Sequence, residues 1–253
     1  MIINDTSRYH EGCKVVMDYI IQVFELEYDD VVANGEGSMH HNRPIAIDIL
    51  AQLRRHLQNG EKTALINTVW DHMIIDDDMR DTLKNSYVSV RELDSWEALQ
   101  EEGIDADIHL DCSYFVDVPY KECPSEELII GQSYGRKAYQ RKDASTLSIF
   151  LEQWDNVVNR LRHTEFFVTG RHHEVYAACK AKCPFFAIEG NTHKIGGLIR
   201  WAGVDIPVGD HEMSYDRIPY FMDMCKERKE EYDKLFQFMD NQPKLINKLH
   251  YAN

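Results

Sequence analysis

Apolar residues along the chain fall into two alternating patterns. Short continuous runs bounded by glycine, asparagine or aspartate predict strands, and longer stretches with apolar residues every three or four positions predict helices. Ile2-Ile3, Asp30 to Ala33, Thr63 to Asn67, Tyr87 to Val90 and Ile108 to Leu110 are the first series of strands. Cys13, Val16, Met17, Ile20, Ile21 and Phe24 keep helical spacing after the first of them. A second helix starts at Pro44, carries Ile45, Ile49, Leu53 and Leu57 as its stripe, and closes at Gly60. Ser95 is placed to cap a short helix that ends before Gly103. Asp76-Asp77-Asp78 precede a polar helix and read as acidic residues at its N-terminus rather than as a carboxylate metal motif.

The pattern restarts after a loop-like stretch from Pro119 to Glu127. Leu128 to Ile130 is a strand, and Asp143 to Arg162 reads as one helix that buries Leu147, Phe150, Leu151, Trp154, Val158 and Leu161. Phe166-Phe167-Val168, a helix over His172 to Lys182 and the run Phe185 to Ile188 form a strand–helix–strand unit of the size of a parallel crossover. A short helix from Lys194 to Trp201 closes at Gly203, and Tyr215 to Met239 reads as one long helix with Ile218, Phe221, Met222, Cys225, Tyr232, Leu235 and Phe236 on its packing side. Strands alternating with helices predict an α/β fold with parallel sheets. The expected division is a Rossmann-like domain over 1–120, a second over 125–210, and a helical tail over 211–253 that packs back on the core.

Length and charge narrow the function. With 253 residues, 43% of them hydrophobic, the chain can bury a substantial core. Its formal net charge of -15 sets a field that repels nucleic acid and anionic membrane. No apolar run approaches the roughly 20 residues of a membrane span. The six cysteines (Cys13, Cys112, Cys123, Cys179, Cys183, Cys225) contain no CxxC pair, and reduced thiols in a cytoplasm are expected.

Each strand ends in a polar or glycine cluster: Asn4 to Ser7, Asn34 to Ser38, Asn67-Thr68, Arg91-Glu92 and Asp111 to Ser113 in the first half, and Gly131-Gln132-Ser133 and Thr169-Gly170-Arg171 in the second. In an open parallel sheet such ends line one crevice. At Thr169 to His173 free backbone N–H groups and the helix dipole make an anion site, and Arg171 adds a planar fork of donors. Gly35 and Gly37 permit a tight turn and close approach of a ligand.

Ordered pieces of the chain resemble the polysaccharide pyruvyl transferase family: NDTSRYHEGC (4–13), DVVANGEGSMHH (30–41), ALINTVW (64–70), YVSVRELDS (87–95), DIHLDCS (107–113) and VTGRHHEVYAACKAKCPFFAIEGNTHKIGGLIRWAG (168–203). The resemblance implies two Rossmann-like halves facing each other, GT-B-like, with a C-terminal helix and no metal or cofactor. It implies transfer of a pyruvyl group from phosphoenolpyruvate to a sugar. The family's catalytic histidine falls on His173, its motif arginine on Arg171, and the arginine of the VSVRE strand end on Arg91. Two arginines could each clamp one anion of the donor, and His173 could supply general-acid work. Two departures stand out: the chain is short for the family, and His172 occupies the usual small apolar position between arginine and histidine. The same scaffold could instead take a nucleotide-sugar donor. Thr169, Gly170, Glu189, Asn191 and Lys194 would then contact it, Ser7, Gly35 and Ser38 would line the site, and Asp5, Glu36, His40 or His41 would be the carboxylate or imidazole base near the acceptor. That acceptor could be a glycan or a hydroxymethylated viral DNA base, the latter disfavoured by net charge. A sugar-binding remnant without catalysis is the third reading.

Overall fold

A computed structural model describes residues 1–24, 30–135 and 137–245. The last eight residues of the expected tail, 246–253, lie outside the described residues. The chain divides into two compact units. Of the described residues, the first comprises 1–7, 16–24, 30–112 and 243–245, and the second 8–15, 113–135 and 137–242.

The first unit contains β1 (Ile2–Ile3), most of α1 (Glu11–Val23), β2 (Asp30–Glu36), α2 (Pro44–Gln58), β3 (Lys62–Thr68), α3 (Asp77–Lys84), β4 (Tyr87–Val90), α4 (Leu93–Glu101) and β5 (Asp107–Ile108). Its five strands are parallel and lie in chain order, β1-β2-β3-β4-β5. Val31, Ala33, Leu65, Val88 and Val90 from the strands pack with Ala46, Ile49, Leu50, Leu53 and Leu99 from the helices. Such near-continuous apolar strands suit a parallel sheet buried on its faces. Asp76 caps α3 by accepting from Met79 N at 2.8 Å, with Asp77 and Asp78 in the first turn, as the acidic cluster suggests. Two local expectations change. Glu92, not Ser95, is the N-cap of α4, and its carboxylate accepts from Ser95 N at 3.1 Å. Ser95 Oγ donates to the same Glu92 carboxylate and accepts from Trp70 N at 2.6 Å. The fifth strand covers Asp107–Ile108 rather than Ile108 to Leu110, because its pairing with β4 ends where β4 ends.

The second unit contains β6 (Glu126–Ile130), β7 (Ser145–Thr146), α5 (Trp154–Arg162), β8 (Thr164–Thr169), α6 (His172–Ala181), β9 (Phe185–Ile188), α7 (Lys194–Ala202), β10 (Val208–Gly209), α8 (Ile218–Lys226) and α9 (Lys229–Asn241). Its sheet is also parallel, in the order β10-β9-β8-β6-β7. The chain thus runs outward from β6 to β7, then returns past β6 to β8, β9 and β10. The strand order reverses between β6 and β8, whereas the first sheet has no reversal.

The expected helix over Asp143 to Arg162 is only half helical. Ser145 and Thr146 pair with Ile129 and Ile130 instead, and helix begins at Trp154. Phe150 and Leu151 have helical spacing but face solvent, at 39% and 87% exposure. The single long tail helix is likewise two. Pro219 starts α8 in its first turn, and α8 ends at Lys226, ahead of Arg228, the non-helical cap of α9. Among the described residues no helix is long and apolar enough to cross a membrane.

Candidate functional site

In the first unit the polar strand ends bond to one another. Asn34, in β2, is fully buried; its side chain donates to Thr6 Oγ1 at 3.1 Å, and its backbone oxygen accepts from Asn4 Nδ2 at 2.6 Å. Asn67 Oδ1 accepts from Cys112 N at 3.0 Å. Arg91 is 1% exposed, and its Nη1 donates to Glu36 at 3.0 Å and to Asp111 at 2.6 Å. Its charge is therefore set against two carboxylates inside the unit. Gly35 leaves space for protein: an added Cβ would lie 2.1 Å from Thr68 Oγ1 on the neighbouring strand. Ser38 closes the following turn by donating its N–H to Gly35 O at 2.9 Å. Asp5 accepts from Ser7 N at 2.9 Å in an exposed turn. His40 is buried, with Nδ1 3.1 Å from His41 Nδ1 and Nε2 3.2 Å from Arg43 Nη1.

The second unit gathers a different set where its strand order reverses. After β6 come Gln132, Ser133 and Tyr134; after β8, Gly170 and Arg171; after β9, Glu189, Gly190 and Asn191. These turns touch. Gly170 N donates to Gln132 O at 2.7 Å, and a Cβ on Gly170 would come within 3.1 Å of Ser133 Cα. Tyr134 stands at the centre. The Arg171 guanidinium lies 5.3 Å from its ring centroid, and the Lys194 ammonium 5.9 Å. Arg171 also lies 5.0 Å from the ring of Phe150. Two flanking rings within cation–π distance confine the guanidinium. Among the described residues the buried Nε of Arg171 has no hydrogen-bond partner.

The two helix N-termini at this edge differ. At α7 the Glu189 carboxylate accepts from Ile195 N and Gly196 N, so that end is occupied by the protein's own anion. Burial raises the Glu189 carboxyl, and these two backbone donors oppose the rise. At α6 the N-cap is Arg171 itself, with no side-chain cap. Among the described residues, the α6 start thus has a cation beside it and no side-chain carboxylate cap. Lys194 donates to Asn191 Oδ1 at 2.9 Å, which holds both next to Tyr134.

Glu174, in the first turn of α6, ties the edge together. It accepts from Thr169 Oγ1, from Gln132 N at 3.0 Å and from Ile149 N at 3.4 Å. A Cβ on Gly131 would lie 2.2 Å from Glu174 Oε2, so glycine is required there. Burial pushes the Glu174 carboxyl up to about 7, against the pull of Thr169, the two backbone donors and Arg171.

His173 is buried beside residues 8–15. Its ring is 5.0 Å from that of His10, edge to face. Gly12 makes room for it, since a Cβ there would lie 2.6 Å from His173 Cβ and Cγ. Its neighbour His172 turns to Tyr176, with ring centroids 4.7 Å apart. Ligating atoms of His10, Cys13 and His173 lie within 4.8 Å of one another. His10 Nε2 is 3.5 Å from Cys13 Sγ, about the separation of two ligands on a tetrahedral zinc. Yet His10 Nδ1 accepts from Cys13 N at 3.2 Å, capping α1. A neutral ring that accepts at Nδ1 carries its proton on Nε2, the atom a metal would need. The arrangement thus suits a pair of imidazoles better than a chelate.

Of the residues expected from sequence, Thr169, Gly170, Arg171, His173, Glu189, Asn191 and Lys194 all lie in the second unit around one sheet edge, and Asp5, Ser7, Gly35, Glu36, Ser38, His40 and Arg91 lie in the first. Tyr134, Phe150, Glu174, His10 and Gly12 were not anticipated. The only cue for Tyr134 was its place directly after the Gly131-Gln132-Ser133 strand end.

Comparison of the sequence with family models and with curated proteins gives no match. The fold is similar to that of an uncharacterised Klebsiella pneumoniae protein, with a TM-score of 0.54 and 12% identity over 76% of this chain and 84% of that one. It is also similar to the glycosyltransferase UGT89C1 of Arabidopsis thaliana (TM-score 0.51, 7% identity, 90% of this chain and 71% of that one). The crystal structure of UGT89C1 complexed with UDP-L-rhamnose gives the same score at 6% identity, over 90% of this chain and 71% of that one. At such identities the likeness is one of fold: two Rossmann-like units of the kind GT-B glycosyltransferases carry.

Proposed function

We propose that this chain is a GT-B-type transferase that moves a glycosyl group from a nucleotide-sugar donor to an acceptor hydroxyl. The observation that carries this reading is the pair of cations, Arg171 and Lys194, held against Tyr134 where the strand order reverses. Ligands of open α/β sheets bind at that kind of point. A nucleoside diphosphate leaving group needs its negative charge matched as it departs. Arg171, Lys194 and the uncapped start of α6 supply donors for that charge.

His173 is the candidate base. It would take the proton of the acceptor hydroxyl as the new bond to the sugar's anomeric carbon forms and the bond from that carbon to the diphosphate oxygen breaks. The nucleoside diphosphate leaves with the bonding electrons. No metal is required for this step, because fixed cations can hold the diphosphate. All six cysteines are free thiols, in keeping with the reducing cytoplasm that we propose as its location.

Pyruvyl transfer from phosphoenolpyruvate is the second reading, favoured by the Arg171-His172-His173 pattern at the start of α6. It counts on Arg91 as a second anion clamp, and that guanidinium is engaged by Glu36 and Asp111 within the first unit. Thermal-shift titration against a panel of nucleotide sugars and phosphoenolpyruvate separates the two. The true donor at ~100 times its dissociation constant should stabilise by about 2.7 kcal/mol. With that donor, His173→Gln should lower turnover by roughly 10²–10⁴-fold and leave the donor shift intact. A shift with phosphoenolpyruvate alone replaces glycosyl by pyruvyl transfer. No shift with any donor removes both.

A further inference from the structure

Tyr9, Phe150 and Leu151 are large apolar side chains at 59%, 39% and 87% exposure. Single exposed apolar residues are ordinary, but a contiguous group beside polar catalytic candidates marks a binding surface. Tyr9 and Phe150 touch edge to face, with ring centroids 5.7 Å apart at 76°. Phe150 in turn meets His10 at 5.2 Å and Arg171 at 5.0 Å. The group is therefore continuous with the His10–His173 pair.

The surface is also built in advance of any ligand. Glu11 N donates to Ile149 O at 3.2 Å, which stitches the segment bearing Tyr9 to the loop bearing Phe150. Leu151 N and Glu152 N both donate to Ser148 O, closing that loop as a turn. Ile149 N is anchored on Glu174. Two rings are thus held near the donor cation on a stapled loop pair.

We propose that Tyr9 and Phe150 form a stacking subsite for an uncharged sugar ring of the acceptor. The rings offer an open corner rather than a parallel slot. An aromatic aglycone binds best where most of its surface is enclosed, and this corner encloses little. A sugar can lay one C–H face on a ring and keep its hydroxyls in water. Single-stranded nucleic acid also stacks on aromatic rings, but it needs a run of cations along its phosphates, and the chain carries a net charge of -15.

The subsite rests on the transfer reading for its role as acceptor site, and its test does not depend on a donor. The full chain is to be applied to a printed panel of neutral oligosaccharides, to quercetin as a planar aromatic probe, and to an oligothymidylate. Nucleotide-sugar thermal shifts are measured in parallel on the same variants. The expected result is retention of at least one neutral oligosaccharide. Tyr9→Ala and Phe150→Ala should each weaken it about tenfold, and Tyr9→Trp should restore it. Donor shifts should be unchanged in Tyr9→Ala. Because Tyr9 is a surface side chain, an unchanged melting temperature shows that the variant is folded. The proposal is overturned if no neutral oligosaccharide binds, if binding ignores both alanine variants, or if only quercetin or the oligothymidylate binds in a Tyr9-dependent way. Failure of every donor with sugar binding intact would remove the glycosyl-transfer reading and leave the subsite standing.

Discussion

In the first sheet the strands follow chain order, and their polar ends bond to each other; in the second the order reverses between β6 and β8, and the polar ends hold a ring-flanked guanidinium beside an uncapped helix. Both edges are rich in Asn, Arg and carboxylate residues. What separates them is where the hydrogen bonds go. Arg91, Glu36 and Asp111 answer one another within their own unit. Arg171 is held by ring faces, which leaves its N–H edge for something else. A polar strand end becomes a binding site only when the fold leaves part of its bonding capacity unspent.

The largest effect is expected from breaking the closed edge. Arg91→Ala removes the cation between two buried carboxylates. Breaking a buried pair of this kind costs about 3–5 kcal/mol, so urea denaturation should show a severe loss of stability. Donor shifts, measured on whatever protein remains folded, should persist. A variant of wild-type stability would mean that Glu36 and Asp111 are not held by Arg91.

A smaller effect is expected at the open edge from Gly12→Ala. Alanine in a helix gains up to about 1 kcal/mol over glycine. Against that, the new Cβ would sit 2.6 Å from the His173 side chain, and overpacking typically costs ~1–3 kcal/mol. The melting temperature should fall slightly, and turnover should fall more than donor affinity. A rise in melting temperature would show that His173 yields freely and is not packed on Gly12.

The remaining effect is a pH slope. Burial raises the Glu174 carboxyl from 4.5 to about 7. Below pH 4.5 both folded and unfolded chains carry this proton, and the group costs no stability. Above it the unfolded chain ionises first, so stability drains away as pH rises, until the folded carboxyl also ionises near 7. The slope is at most about 1.4 kcal/mol per pH unit. In Glu174→Gln the difference in stability between pH 5 and pH 7 should shrink relative to wild type. An unchanged difference would assign the slope to other groups.

Much of this architecture was legible from local pattern. The β8–α6–β9 unit has a continuous apolar run, a glycine turn, a helix and a proline stop, and each of these signals is local. The helix expected over 143–162 failed for a physical reason: Phe150 and Leu151 repeat at helical spacing but face solvent, and periodicity alone cannot say whether an apolar residue is buried. Ser145 and Thr146 form a strand only because Ile129 and Ile130 lie alongside. The site followed the same rule. Arg171 and His173 announce themselves beside a strand end. Tyr134 and Phe150 are loop aromatics without period, and they acquire meaning only when folding brings both to one guanidinium. Arg91 shows the converse, since its residue type and place suggested a ligand clamp that two distant carboxylates had already filled.

The confinement of Arg171 has one more consequence. An arginine side chain carries about 2 kcal/mol of rotamer entropy. Tyr134 and Phe150 take much of that freedom from it when the chain folds, so an incoming anion meets a fork already aimed. The ordering cost then falls on folding and not on the ligand, which lets a small anion be captured without the large contact area that a floppy side chain would demand.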